Sequence, residues 1–155
     1  MNDDIFIFDY EVNEDILLLE YENQKHKEKS YKDHRGQLDD WKILSINFNY
    51  AEQLNKFFNV NGKPRFYNLK AGVDLPFHTD NGTECSLNFL LQDKDPAPVT
   101  YKSGEYYYKS ALLNVSKEHG VFNTKKDRLL FKLSIFDEDF NGVKNKVKKA
   151  LNVNY

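Results

Sequence analysis

From Arg65 almost to its C-terminal end the chain breaks into short β-rich segments parted by turn residues, and this texture limits the folds open to it. Alternating or continuous apolar runs place strands near 65-70, 74-80, 85-91, 98-102, 105-109, 111-115, 119-123 and 128-136. Eight strands at such spacing predict a double-sheet jelly roll or barrel. The 64 residues before this region read differently. Ile5 to Phe8 is a short apolar strand. Asn13 followed by Glu14 and Asp15 opens a helix over about 13-27. Gln24 to Arg35, which holds His26 and His34 among lysines and acids, reads as a solvated helix end and loop. A strand over Trp41 to Phe48 precedes a helix over Tyr50 to Phe58 capped by Asn49, and Asn61-Gly62 makes a turn. The tail from Gly142 to Tyr155 is a lysine-rich helix with Val143, Val147 and Leu151 on one face.

At 155 residues this predicts one domain: a supporting α/β segment (1-63), a jelly-roll core (64-140) and a C-terminal helix (141-155). The expected class is mainly β with flanking helices. Composition excludes several functions. The 22 Lys+Arg against 24 Asp+Glu give a formal charge of −2, so no global basic field draws the chain to nucleic acid or an anionic membrane. Cys85 is the one cysteine, which removes intrachain disulfides and Cys-rich zinc sites. No apolar run approaches a membrane span, and Met1-Asn-Asp-Asp4 is acidic where a secretory signal is basic; the expectation is a cytoplasmic protein. Oligomeric state is not legible.

Chemistry concentrates in Leu75-Pro-Phe-His-Thr-Asp80. Side chains at i and i+2 of an extended strand share a face, so His78 and Asp80 point at one spot. Ala71-Gly72 turns the chain just before them. His119 is the other histidine of the β region, following the apolar strand Ala111 to Val115. Two imidazoles and a carboxylate form the facial triad that holds non-haem Fe(II) with coordination positions left open. Arg128 starts the apolar strand Leu129 to Ile135, and the turn Asn123 to Asp127 predicts a hairpin that brings it near His119. Arginine occurs at only three positions, Arg35, Arg65 and Arg128, so its use at a strand mouth suggests a bidentate partner that lysine cannot match. Tyr67, on the preceding strand, and Asn88, which shares a face with Ser86 and Leu90, are candidate helpers. Lys132 and Ser134 share the Arg128 face and are candidates to line the site; Arg65 reads first as an ion pair with an acid and second as a substrate contact. The run Tyr106 to Tyr108 reads first as sheet packing and second as a surface on which a base or peptide could stack.

The order His-x-Asp, distal His, then Arg on an eight-strand scaffold resembles the 2-oxoglutarate/Fe(II)-dependent oxygenases. The text Asn68-Leu-Lys-Ala-Gly72, His78-Thr-Asp80 and His119-Gly-Val-Phe-Asn123 leading to Arg128-Leu-Leu-Phe131 is most similar to their aspartyl/asparaginyl β-hydroxylase branch, over about 65-140. The resemblance implies that His78, Asp80 and His119 bind iron, that Arg128 binds the distal carboxylate of 2-oxoglutarate, and that Tyr67 and Asn88 lie near that cosubstrate. Asn88 stands where an arginine is common in that branch. The implied reaction uses dioxygen and 2-oxoglutarate to hydroxylate an unactivated C–H bond, foremost the β-carbon of an Asp or Asn residue in a protein or peptide. Prolyl residues and free amino acids or other small molecules are the alternatives of the same class. A cupin-like barrel that binds a metal or ligand without oxidation is the alternative outside it, and it has no need of Arg128.

Overall fold

A computed structural model describes residues 2–33, 36–91 and 97–152. Its strands are β1 (Ile5–Ile7), β2 (Lys29–Asp33), β3 (Gly36–Ser45), β4 (Gly62–Leu69), β5 (Leu75–His78), β6 (Cys85–Leu91), β7 (Val99–Tyr101), β8 (Gly104–Tyr106), β9 (Ser110–Leu113), β10 (His119–Val121) and β11 (Arg128–Ile135). Its α-helices are α1 (Glu14–Gln24), α2 (Asn49–Phe58) and α3 (Phe140–Ala150). Among the described residues the strands form two antiparallel sheets, a major one in the order β1-β9-β6-β11-β4-β3-β2 and a minor one in the order β5-β10-β7-β8. This is a double-stranded β-helix with flanking helices, and each of the eight strands expected after Arg65 is present.

The central strands show why the architecture holds. In β6 every residue is buried, but the two faces serve different layers. Leu87, Phe89 and Leu91 join Phe66, Phe131 and Leu133 in a core that packs against Leu17 and Tyr21 of α1, Leu54 and Phe58 of α2, and Val143 and Val147 of α3. The opposite face, with Leu90 and Leu130, turns inward among Trp41, Tyr67, Leu69, Val99 and Val121, residues of both sheets. Each fully buried Leu or Phe contributes about 1.5–3 kcal/mol. A surface ion pair such as Lys146–Glu138 at 2.7 Å contributes under about 1 kcal/mol, so apolar layers and not surface charge hold the fold.

Local signals explain the helix ends. Asn13 accepts from the Ile16 N–H at 3.2 Å, and Asp139 accepts from that of Gly142 at 2.8 Å, each capping its helix. Three local expectations are corrected. Asn49 is the first residue of α2 and not its cap, because Phe48 takes the extended cap conformation without a side-chain bond. The turn expected at Asn61-Gly62 falls earlier, at Asn59 in the left-handed region (φ 56°), and Gly62 already opens β4. A Cβ on Gly62 would lie 2.7 Å from Leu133 Cβ, so close packing against β11 requires glycine there. Lys29 to Asp33, expected as loop, forms edge strand β2, with Tyr31 against Trp41 at 3.9 Å between ring centroids. Its lysines are the charges that protect an exposed sheet edge, and they resemble a solvated loop in sequence. His26 is exposed, in a 3-10 turn after α1, whereas His34, Arg35, the residues from Gln92 to Pro96 and the last three lie outside the described residues.

Candidate metal and cosubstrate site

His78 ends β5 and His119 begins β10, and the two are direct register partners. That pairing puts their ring centroids 4.4 Å apart. Asp80 lies two residues beyond the strand, where its N–H donates to the Val115 carbonyl at 2.9 Å and its carbonyl accepts from the Thr83 N–H at 3.1 Å. Its Oδ1 sits 3.4 Å from His78 Nε2 and 3.5 Å from His119 Nε2. One ligand atom from each of the three residues lies within 4.8 Å of the others.

Both imidazoles have their orientation set by backbone. His78 Nδ1 is 2.7 Å from the Pro76 carbonyl and His119 Nδ1 is 2.8 Å from the Lys117 carbonyl. A carbonyl only accepts, so each Nδ1 carries a proton and each Nε2 is left facing Asp80. This is the second contact that metal-binding histidines make. Gly120 permits the close pairing, since a Cβ there would meet the Leu75 carbonyl oxygen at 2.8 Å. Trp41 and Tyr101 wall the imidazoles, at 5.8 Å from the His78 centroid and 5.6 Å from that of His119.

Lys132 reaches across from β11 and donates to Asp80 Oδ2 at 2.6 Å. Burial would raise the Asp80 carboxyl, but the Lys132 ammonium and the two imidazoles outweigh it and hold Asp80 well below the usual range. Burial likewise works against the Lys132 ammonium, and the facing Asp80 carboxylate raises it above its ordinary value.

Arg128 is buried at 6% exposure and lines the same cavity as the three candidate ligands. The expected hairpin does not form: β10 pairs with β5 and β7, while β11 pairs with β4 and β6 in the other sheet. The connecting residues instead bind the loop before β5. Asn123 N–H donates to Asp74 at 2.9 Å, Thr124 Oγ1 to the Val73 carbonyl at 3.0 Å, and Ala71 N–H to Asp127 at 3.0 Å. With both edges of each strand occupied, the segment crosses between sheets, and Arg128 meets the cavity from the facing wall.

Tyr108 is the residue that sequence reasoning did not place at this site. Arg128 Nη2 and Asn88 Nδ2 each donate to its phenol oxygen at 3.2 Å, and Ser86 Oγ donates to Asn88 Oδ1 at 2.7 Å. Two donors already occupy that oxygen, so its own O–H is left to donate. Arg128 Nε is buried with no hydrogen-bond partner among the described residues. Tyr67 lines the cavity too, its ring centroid 4.9 Å from Lys132 Nζ. Arg65 lies instead against Phe136, at 5.6 Å, and Cys85 is buried with its thiol donating to the Glu138 carbonyl.

The donor set fits a divalent metal of the Fe(II) type: two oriented imidazoles and one ionised carboxylate. The Arg128 side fits a carboxylate, for which a planar, partly unpaired guanidinium and a free phenol hydrogen are suited donors. No protein-family model matches the chain, and no curated protein matches it in sequence. Solved structures do resemble it. A prolyl-4-hydroxylase from Pseudomonas putida aligns at TM-score 0.65 and 12% identity over 86% of this chain and 93% of that one. A prolyl hydroxylase in complex with a hypoxia inducible factor peptide fragment, from Trichoplax adhaerens, aligns at TM-score 0.67 and 13% identity over 98% and 88%. A 2OG-Fe(II) oxygenase family oxidoreductase from Burkholderia pseudomallei aligns at TM-score 0.51 and 11% identity over 79% and 78%. Likeness at such identity establishes the shared fold. Among the described residues no helix is long and apolar enough to cross a membrane.

Proposed function

We propose that this chain is an Fe(II)- and 2-oxoglutarate-dependent dioxygenase that hydroxylates an unactivated C–H bond. One observation carries the reading: a single cavity has a His78–Asp80–His119 cluster on one wall and Arg128 with Tyr108 on another. A molecule with a chelating end and a distal carboxylate suits both walls, and 2-oxoglutarate has that form. When bound, the metal and cosubstrate supply the oxidising power, with 2-oxoglutarate decarboxylated to succinate and one oxygen atom of dioxygen entering the C–H bond.

The residues have separate tasks in this reading. His78 and His119 offer Nε2, and Asp80 offers Oδ1, to the metal. Arg128 binds the distal carboxylate through charge and fork geometry, and Tyr108 adds its O–H. Asn88 holds Tyr108 in place, and Tyr67 forms the cavity wall. Trp41, Leu69, Val121 and Leu130 keep water away from the reacting centre.

The substrate we propose is a protein or peptide residue, foremost the β-carbon of an Asp or Asn. Support comes from the likeness of residues 68–72, 78–80, 119–123 and 128–131 to the aspartyl/asparaginyl branch, and from an open cleft that shares Tyr108 with the cavity and runs past Thr100, Tyr107 and Phe122. A prolyl residue is the second reading, supported by the two prolyl hydroxylases among the similar structures. Incubation with Fe(II), 2-oxoglutarate and peptide pools, followed by mass spectrometry, separates them. Addition of one oxygen atom to Asp or Asn, with stoichiometric succinate, supports the first; oxygen on proline replaces it with the second. No succinate from any pool contradicts both.

A further inference from the structure

The two carboxylate oxygens of Asp80 have different neighbours. Oδ1 faces both Nε2 atoms, at 3.4 and 3.5 Å, whereas Oδ2 accepts from Lys132 Nζ at 2.6 Å. Lys132 is the one lysine buried among the described residues, where the other lysines are exposed or half-buried. It comes from β11 in the major sheet, and its register neighbours Arg65 and Asn88 offer no negative charge. An ammonium placed there costs free energy that the Asp80 carboxylate offsets, with the Tyr67 ring 4.9 Å away, which calls for a reason beyond packing.

A carboxylate can hold a divalent cation through one oxygen or through both. A facial triad leaves room for a chelating cosubstrate and dioxygen together only when its carboxylate uses one. We propose that Lys132 is a positioning residue that keeps Asp80 a one-oxygen ligand: it occupies Oδ2, reserves Oδ1 for the metal, and so keeps open the coordination position that Oδ2 would otherwise take. The proposal rests on the metal-site part of the function proposed above and not on the identity of the substrate. Because the ammonium draws charge from the carboxylate, its removal leaves metal affinity unchanged or higher while one open coordination position, the one left for dioxygen, is lost. A residue that merely filled space would not produce that split.

The probe is Mn(II) alone, with metal-bound waters counted by water-proton relaxation. Wild type is expected to hold Mn(II) with about three waters, and Lys132→Met, which keeps the stem over Tyr67, with about two. Lys132→Arg, a charged donor, restores about three. If the Met variant does not fold, Lys132→Ala is read the same way. About three waters in the folded Met or Ala variant overturns the proposal, as does a metal affinity lowered more than about tenfold, which would make Lys132 necessary for binding itself. Wild type that binds no Mn(II) overturns both this proposal and the metal site. Loss of one water in Lys132→Met, together with no 2-oxoglutarate complex on the Fe(II) protein, overturns the oxygenase reading and leaves the role of Lys132 standing.

Discussion

His78 and His119 are register partners on β5 and β10, so the geometry of the candidate metal site is the geometry of one antiparallel strand pair. Any change that parts those strands moves the two imidazoles apart. Any change that preserves them keeps the two imidazoles together, while Asp80 is held separately by its bond to the Val115 carbonyl.

Gly120 tests that dependence. Gly120→Ala places a Cβ 2.8 Å from the Leu75 carbonyl oxygen, where the backbone of β5 must yield. Overpacking of this kind costs about 1–3 kcal/mol. The expected result is a folded protein of lower thermal midpoint whose divalent-metal affinity falls at least about tenfold, measured by calorimetric titration.

Removing ligands acts more strongly than disturbing their frame. Asp80→Ala and His119→Ala are expected to lower Fe(II) or Mn(II) affinity by more than about 100-fold, beyond the range seen for outer contacts to metal ligands. The His26→Ala control, at an exposed turn, should bind metal as wild type does.

On the facing wall, Arg128→Ala removes charge-assisted bonds of about 1.5–3 kcal/mol, so the 2-oxoglutarate requirement should rise by roughly 10- to 150-fold. Tyr108→Phe removes one neutral donor and should raise it by about 2- to 12-fold. Saturation curves for succinate formation measure both, and equal effects from the two variants would contradict the division of roles.

The strands after Arg65 were legible because period-two patterning and turn residues are local signals, and His119 stood out because histidine is rare in this chain. The crossing between β10 and β11 was not legible. Asn123 and Thr124 find their partners at Asp74 and Val73, about fifty residues away in sequence, and no local pattern announces that choice. Three consecutive tyrosines hid which one faces inward: Tyr107 is exposed, whereas Tyr108 is buried against Arg128. The lysines of β2 resembled solvent-facing loop for the same reason that they protect an edge.

Alkaline pH gives a test away from the site. Burial, helped by the negative charge of Glu138, pushes the Cys85 thiol from 9.0 up to about 12, and burial with the Glu28 contact pushes the Tyr21 phenol from 10.0 to about 12. Both folded values are raised, so the native state keeps protons that the unfolded chain releases. The stability they contribute is whole below about pH 9 and is lost as pH rises towards about 12. Denaturant midpoints should fall across that window, less so in Tyr21→Phe, and Cys85 should resist thiol reagents until the chain unfolds.

The most direct measurement is anaerobic titration of the Fe(II)-loaded protein with 2-oxoglutarate, followed by visible absorption. The account predicts a charge-transfer band of the chelated 2-oxoacid that saturates in wild type and is absent from Arg128→Ala at the same cosubstrate concentration. Iron bound with no band at any concentration would contradict it, and would leave a β-barrel that holds a metal without oxidative turnover.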